Sequence, residues 1–191
     1  MSPDEEYVDI HLSGRDVLSI DLSQLSAVTS MRTLDLSSNR IGTLGLGPLC
    51  RHREIESLIL YENHMSSLDL TPLSVCTSLR ELRLFNNDFQ SIDQSPLSFC
   101  TSLSWLSLAS SNLPSLDLTP LGNCRNLRFL AIQENGLSEL DFTPLFECRQ
   151  LTELHYDTTL VLNSNSRPDG CDMNPLLEEL LRRAWKFQGA H

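Results

Sequence analysis

Leucine recurs along this chain in a fixed polar frame. In residues 79–102, Leu79, Leu82 and Leu84 stand apart from Arg80, Glu81, Arg83 and Phe85. The Leu-x-Leu alternation has a period of two, which predicts a short strand. After a polar turn, Phe89 and Ile92 continue the apolar side. The same frame reopens at Tyr7, Met31, Ile55, Leu79, Leu103, Leu127 and Leu151, every 24 residues without a slip. Such a period marks a stack of equivalent coils sharing one continuous core.

The polar positions are as regular as the leucines. Asn87 follows the strand, with equivalents at Asn39, Asn63 and Asn135. A buried amide there serves backbone groups that a turning chain leaves unpaired. Arg15, Ser111 and Thr159 replace it, so those turns should be less regular. The second half of a coil reads Asp-Leu-Thr-Pro-Leu at 69–73 and 117–121, with close variants at 93–97 and 141–145. A Ser or Thr hydroxyl cap followed by proline predicts a short helix or 3₁₀ turn. The same dipeptide is also the target of proline-directed kinases, but capping accounts for its regular placement. The row of Asp21, Asp69, Asp93, Asp117 and Asp141 supplies one acid per coil. That suits local backbone bonding better than calcium, which needs clustered oxygens.

This frame, with its Leu-Asp-Leu-Thr-Pro-Leu-x-x-Cys-x-x-Leu second half at 68–79, resembles the leucine-rich repeat family. The resemblance covers about 7–162 and looks most like short intracellular members. It implies an α/β fold: a right-handed leucine-rich repeat solenoid, or horseshoe. Parallel strands ~4.8 Å apart would form the concave side, with short helices or 3₁₀ turns on the convex side. Residues 1–162 are expected to form the solenoid and 163–191 a loop plus a C-terminal capping helix.

An open solenoid needs covered ends. Coil one, carrying His11, Gly14 and Arg15, is expected to serve as the N-terminal lid. At the other end the strand pattern runs Leu151, Leu154, Tyr156 and then fails. Turn residues fill 163–170. Asn174-Pro175 then starts a helix that aligns Leu176, Leu177, Leu180, Leu181, Ala184 and Trp185 on one face. Glu178 with Arg182 and Glu179 with Arg183 are spaced as i,i+4 pairs, and Lys186 suits the negative helix end. A partner-binding helix is the alternative to a cap.

Charge then narrows the function. Lys and Arg total 14 against 25 Asp and Glu, a formal net charge of -11. That field repels nucleic acid and anionic membranes, so neither is expected as a partner. The start Met1-Ser2-Pro3-Asp4-Glu5-Glu6 has no apolar core of a secretion signal, and no apolar run approaches a membrane span. A cytoplasmic or nuclear location is expected. Cys76, Cys100, Cys124 and Cys148 recur with the repeat and read as small buried apolar residues rather than a disulfide framework. Cys50 falls out of that row, its place taken by His52, and Cys171 stands in the polar loop. Neither makes a zinc set. His11 and His155 lie six strands apart, roughly 29 Å, too far to share an ion. No phosphate-binding loop, nucleophile elbow or metalloprotease motif occurs. The expectation is no enzyme, no cofactor, no metal and no small-molecule substrate.

In the fold that the resemblance implies, side chains between the strand leucines face a partner in three rows. The first is Asp9, Thr33, Ser57, Glu81, Trp105, Phe129 and Glu153. The second is His11, Asp35, Ile59, Arg83, Ser107, Ala131 and His155. The third is Ser13, Ser37, Tyr61, Phe85, Ala109, Gln133 and Asp157. Ile59, Tyr61, Phe85, Trp105 and Phe129 gather in four consecutive coils around Arg83, beside small Ser107, Ala109 and Ala131. Contiguous aromatics with arginine are the composition of a binding hot spot. Asp35, Glu62, Glu81 and Glu134, with Glu56 and Asp88, are expected as its acidic rim. The leading expectation is a non-enzymatic interaction module, an adaptor or scaffold that takes a protein or peptide on its concave face. Coverage of the patch by the chain's own tail or by a second copy is the alternative, and the protein is expected to be a monomer or to self-associate weakly. Two further alternatives rest on the family: a regulatory subunit of an enzyme such as a phosphatase, and an acidic chaperone for basic proteins. The C-terminal Arg182-Arg183-Ala184-Trp185-Lys186 counts against the chaperone, because the acidic members carry long acidic tails.

Overall fold

The computed structural model describes residues 7–163 and 174–188. The acidic start, loop residues 164–170 and Cys171 lie outside these, as do the side chains of Leu181, Arg183, Ala184, Trp185 and Lys186.

Each coil contributes one short parallel strand to a seven-stranded sheet. The strands are β1 (Val8–His11), β2 (Met31–Asp35), β3 (Ser57–Ile59), β4 (Glu81–Arg83), β5 (Trp105–Ser107), β6 (Phe129–Ala131) and β8 (Glu153–His155). Leu34, Leu58, Leu82, Leu106, Leu130 and Leu154 stand side by side across it. The first five of these leucines are fully buried. Their common column is what a fixed period builds: identical offsets keep every apolar side chain on the inner face.

The asparagines clamp coil to coil. Asn63 Nδ2 donates to Leu60 O at 3.1 Å in its own coil and to Leu36 O at 3.0 Å in the coil before, while its Oδ1 accepts from Ile41 N at 3.0 Å. Ser111 reproduces only part of this, with Oγ lying 3.0 Å from Ala109 O and 3.3 Å from Leu84 O. The residue before each asparagine position is left-handed: Gly14, Ser38, Glu62, Asn86, Ser110 and Glu134. Coils one and five, which carry Arg15 and Ser111, add a second left-handed residue, Asp16 and Asn112. Those two turns are therefore the less regular ones expected.

The opposite side is built from 3₁₀ turns, among them Thr71–Val75, Ser95–Phe99, Thr119–Asn123 and Thr143–Glu147. Their capping differs from the sequence expectation. The hydroxyls do not cap; the aspartate two residues earlier does. Asp69, Asp93, Asp117 and Asp141 each accept the backbone N–H of the Ser or Thr at 2.9 Å. A carboxylate reaches that amide across a two-residue turn, and the hydroxyl is left to bond the same acid, as Thr143 Oγ1 does to Asp141. Bonds of this kind hold Asp69 and Asp93 below the usual carboxylate range, the side-chain bond leading; in Asp21 the backbone bond from Ser23 leads.

Cys76, Cys100, Cys124 and Cys148 are fully buried free thiols. Each lies within thiol hydrogen-bonding reach of a carbonyl in the coil before: Leu49, Leu73, Leu97 and Leu121. Burial pushes the first up to about 11 and the other three up to about 12. His52 holds the same place in coil two, with Nε2 3.0 Å from Leu25 O and a buried Nδ1 that meets no partner.

Coil seven does not simply fail after Tyr156; it is shortened. Leu130 pairs with Leu154, a separation of 24, but Leu140 pairs with Leu162, a separation of 22. Two residues are missing from its turn, so Thr159 is not a true counterpart of the asparagines. The shorter path lets β7 (Glu139–Asp141) and β9 (Val161–Asn163) form a second, two-stranded sheet. Asn163 thus ends a strand instead of opening the loop. Helix α1 (Pro175–Gln188) closes this end. Asn174 Oδ1 accepts Leu176 N at 2.9 Å, and its Nδ2 donates to Leu151 O and to Arg149 O. Leu177 and Leu180 enter the common core.

Candidate interaction face of the sheet

The side chains that do not enter the core form the sheet's open face. The pairing places Asp9, Thr33, Ser57, Glu81, Trp105, Phe129 and Glu153 in one row. His11, Asp35, Ile59, Arg83, Ser107, Ala131 and His155 form a second. Strand geometry sets these rows ~7 Å apart.

The aromatic residues form two stacks. Trp105 lies on Phe129 with ring centroids 3.7 Å apart and planes 7° from parallel. His155 continues this stack, tilted 38° at 5.2 Å from Phe129. Tyr61 lies on Phe85 at 4.4 Å, also 7° from parallel. The two stacks sit at opposite ends of the strands, and no ring contact joins them among the described residues. Arg83 stands between, its guanidinium 5.4 Å from the Trp105 ring. Stacking leaves all four aromatic rings, with Ile59 and Arg83, half-buried. They cover one another's faces and present their edges. The small residues beside them, Ser107, Ala109 and Ala131, are buried and form the floor.

The acids expected as a rim are held in place by the protein itself. Glu81 lies within the face, not at its edge. It accepts Arg83 Nε at 2.6 Å and Ser57 Oγ at 2.8 Å, and so fixes the guanidinium beside Trp105. Asp35 also lies inside the second row, where it accepts the Ser37 amide and hydroxyl at 3.0 and 2.6 Å. Glu62 and Glu134 occupy the left-handed row and accept Ser38 Oγ and Ser110 Oγ of the preceding coil, at 2.7 and 2.6 Å. Backbone carbonyls of the third row serve the left-handed amides, as Phe85 O does for Glu62 N. At the last coil the carboxylate of Asp157 takes that part, with both oxygens 3.0 Å from Glu134 N.

The left-handed row was legible in principle. Gly14 heads a polar column, and glycine there is the residue that adopts positive φ without strain. Charge also divides the face. Arg32 near the start of β2, and Arg80 and Arg128 just before β4 and β6, line one edge, with Glu56 between the first two at 3.9 and 3.7 Å. Glu62, Asp88, Glu134 and Asp157 mark the other edge. Among the described residues no group of three or more His, Cys, Asp or Glu is placed to hold a metal ion. No described helix is long and apolar enough to cross a membrane. Cys50 is exposed and His52 buried, so these two do not converge on a site.

No protein-family model matches the chain, and no curated protein matches it in sequence. Solved structures do match. Internalin C2 of Listeria monocytogenes is 29% identical with a TM-score of 0.62, over 76% of this chain and 60% of that one. The internalin InlF of the same organism is 23% identical with a TM-score of 0.56, over 81% and 48%. The plant peptide hormone receptor RGFR1, solved in complex with RGF2, is 21% identical with a TM-score of 0.63, over 73% and 22%. The last two likenesses concern the fold alone. The chain spans about 60% of the first structure's length and less of the others.

Proposed function

We propose that this chain, which belongs to the leucine-rich repeat proteins, is a non-enzymatic interaction module holding a protein or peptide on the open face of its sheet. The observation that carries this reading is the pair of aromatic stacks bracketing Arg83. Rigid aromatics give contact area at low entropic cost, and a guanidinium already fixed by Glu81 loses little freedom when bound. The neighbouring structures support an interaction role in general, and one of them is a receptor with a bound peptide hormone. The unlike charges of the two edges favour a bound segment basic toward Glu62, Asp88 and Glu134 and acidic toward Arg32, Arg80 and Arg128. An adaptor role and a cytoplasmic or nuclear setting belong to the same proposal.

The test is affinity capture from native lysate with the wild type beside a Trp105→Ala/Phe85→Glu double variant of matched thermal stability. A protein captured by the wild type and lost from the variant supports the reading. Identical captures would overturn it and move attention to the 3₁₀ side and α1.

A further inference from the structure

The two ends of the core differ, α1 covering one and nothing described covering the other. In every interior coil the residues of the open face turn their backbone groups toward the coil before. Leu36 N donates to Ile59 O and Leu60 N to Arg83 O, both at 2.9 Å, while Trp105 N donates back to Arg80 O at 3.0 Å. On β1 the corresponding residues are Asp9 and His11. Their N–H and C=O groups point away from β2, and no described residue pairs with them. The apolar residues of this coil are equally uncovered. Ile10, whose equivalents Leu34, Leu58 and Leu82 are fully buried, is only partly covered, and so is Leu12, whose equivalents Leu60 and Leu84 are fully buried.

We infer that this edge pairs with the same edge of a second copy, antiparallel, about a twofold axis through Ile10. That register is selected by the residues present. Asp9 and His11 are the residues with outward-facing backbone groups, so they must form the hydrogen-bonded pairs of an antiparallel ladder. Centring on Asp9 sets that carboxylate against its own copy, and centring on His11 does the same with imidazole. Centring on Ile10 sets Asp9 opposite His11 of the second copy twice over. A carboxylate acceptor then faces an imidazole donor, a complementary cross-strand pair. A slip by a single residue would set an outward-facing residue opposite one whose backbone already bonds β2, as Leu12 N does to Asp35 O.

The same register brings Ile10 against Ile10 on the core side. The axis is perpendicular to the sheet, so both open faces end on one side of a sheet of twice seven strands. A twofold contact uses the β1 edge of both copies at once, so this contact by itself closes at two. The net charge of -11 on each copy opposes the contact at low ionic strength.

The experiment is sedimentation of the full chain at physiological salt over a concentration series, with amide exchange at Asp9 and His11 followed alongside. A reversible monomer–dimer equilibrium is expected, with protection of those two amides rising with concentration. Asp9→Pro removes an N–H that the monomer does not use, and weakens the dimer at least about tenfold. Asp9→Lys does the same without changing the backbone, and Asp9→Lys/His11→Glu restores the pairing by reversing it. Thermal melts confirm that each variant is folded. A wild type that stays monomeric at every concentration overturns the inference. So does a dimer indifferent to both Asp9 variants, which would belong to another face, and so does failure of the reversed pair to recover.

Discussion

The first and last coils of this solenoid carry the same apolar template and meet opposite fates. At the C-terminal end Leu177 is fully buried and Leu180 nearly so, because Asn174 ties the start of α1 to the carbonyls of Arg149 and Leu151, where coil six meets coil seven. At the N-terminal end coil one covers coil two, as a lid should, but nothing described covers coil one. Leucine in a repeat therefore contributes through its neighbour, not by itself. Leu12 and Leu60 hold the same place in coils one and three, yet Leu12 is only partly covered and Leu60 fully buried, so Leu12 gains less of the ~1.5–3 kcal/mol of a buried side chain.

The comparison breaks most decisively at Leu177. Replacing it by alanine should cost ~2–5 kcal/mol in urea unfolding through the cavity left under α1. Leu12→Ala in the open coil should cost less than Leu60→Ala at the same place in coil three, because Leu12 is only partly covered to begin with. Equal losses would mean that the N-terminal end is covered in solution. An interior coil sharpens the same point with adjacent residues. Leu106→Ala should cost ~2–5 kcal/mol, whereas Trp105→Ala forfeits a stacking term of ~0.5–1.5 kcal/mol and retains the fold. The same Trp105→Ala should cost a bound partner ~2 kcal/mol or more if the face is the binding site.

Asn39 is the clamp that ties the open coil to the rest. Its Oδ1 accepts both Arg15 N and Val17 N at 3.0 Å, and its Nδ2 donates to Leu12 O at 2.9 Å. Asn39→Ala should cost ~1–3 kcal/mol through unpaired backbone groups. Amide exchange should then show coil one opening first, below the global transition.

The smallest effect is acid sensitivity. Asp21, Asp69 and Asp93 are held below their ordinary values when folded, so the folded chain binds fewer protons than the unfolded one. Their contribution is complete above the usual carboxylate value of about 4 and is lost as pH falls through the lower folded values. Thermal melts between neutral and acid pH should show that decline, and Asp69→Asn/Asp93→Asn should flatten it.

The repeat was readable because each position recurs in the same environment. Leu82, Asn87 and Cys100 are informative as members of columns, and a column averages out the ambiguity of any one residue. Where the period held, the rows of the open face followed directly, including which residues neighbour Trp105 and Arg83. Readings failed where the chain left the period or where a bonding group was already taken. The shortened turn of coil seven hid β9 from a template of fixed length. The Thr71 hydroxyl does not cap because the Leu73 N–H it would serve already bonds Leu70 O in the 3₁₀ turn, and Asp69 accepts the Thr71 N–H instead. Glu81 read as rim because sequence cannot show that its carboxylate is already committed to Arg83 and Ser57.

The sequence by itself therefore determined the coil, its period, its inward leucines and the rows that face outward. These follow from local alternation and a constant repeat length, which are properties of the linear chain. It took the tertiary structure to divide four aromatics into two stacks, to hold Arg83 between them, and to cover the core with α1 at one end while leaving coil one uncovered at the other. Those outcomes depend on how side chains of adjacent coils share space and hydrogen bonds.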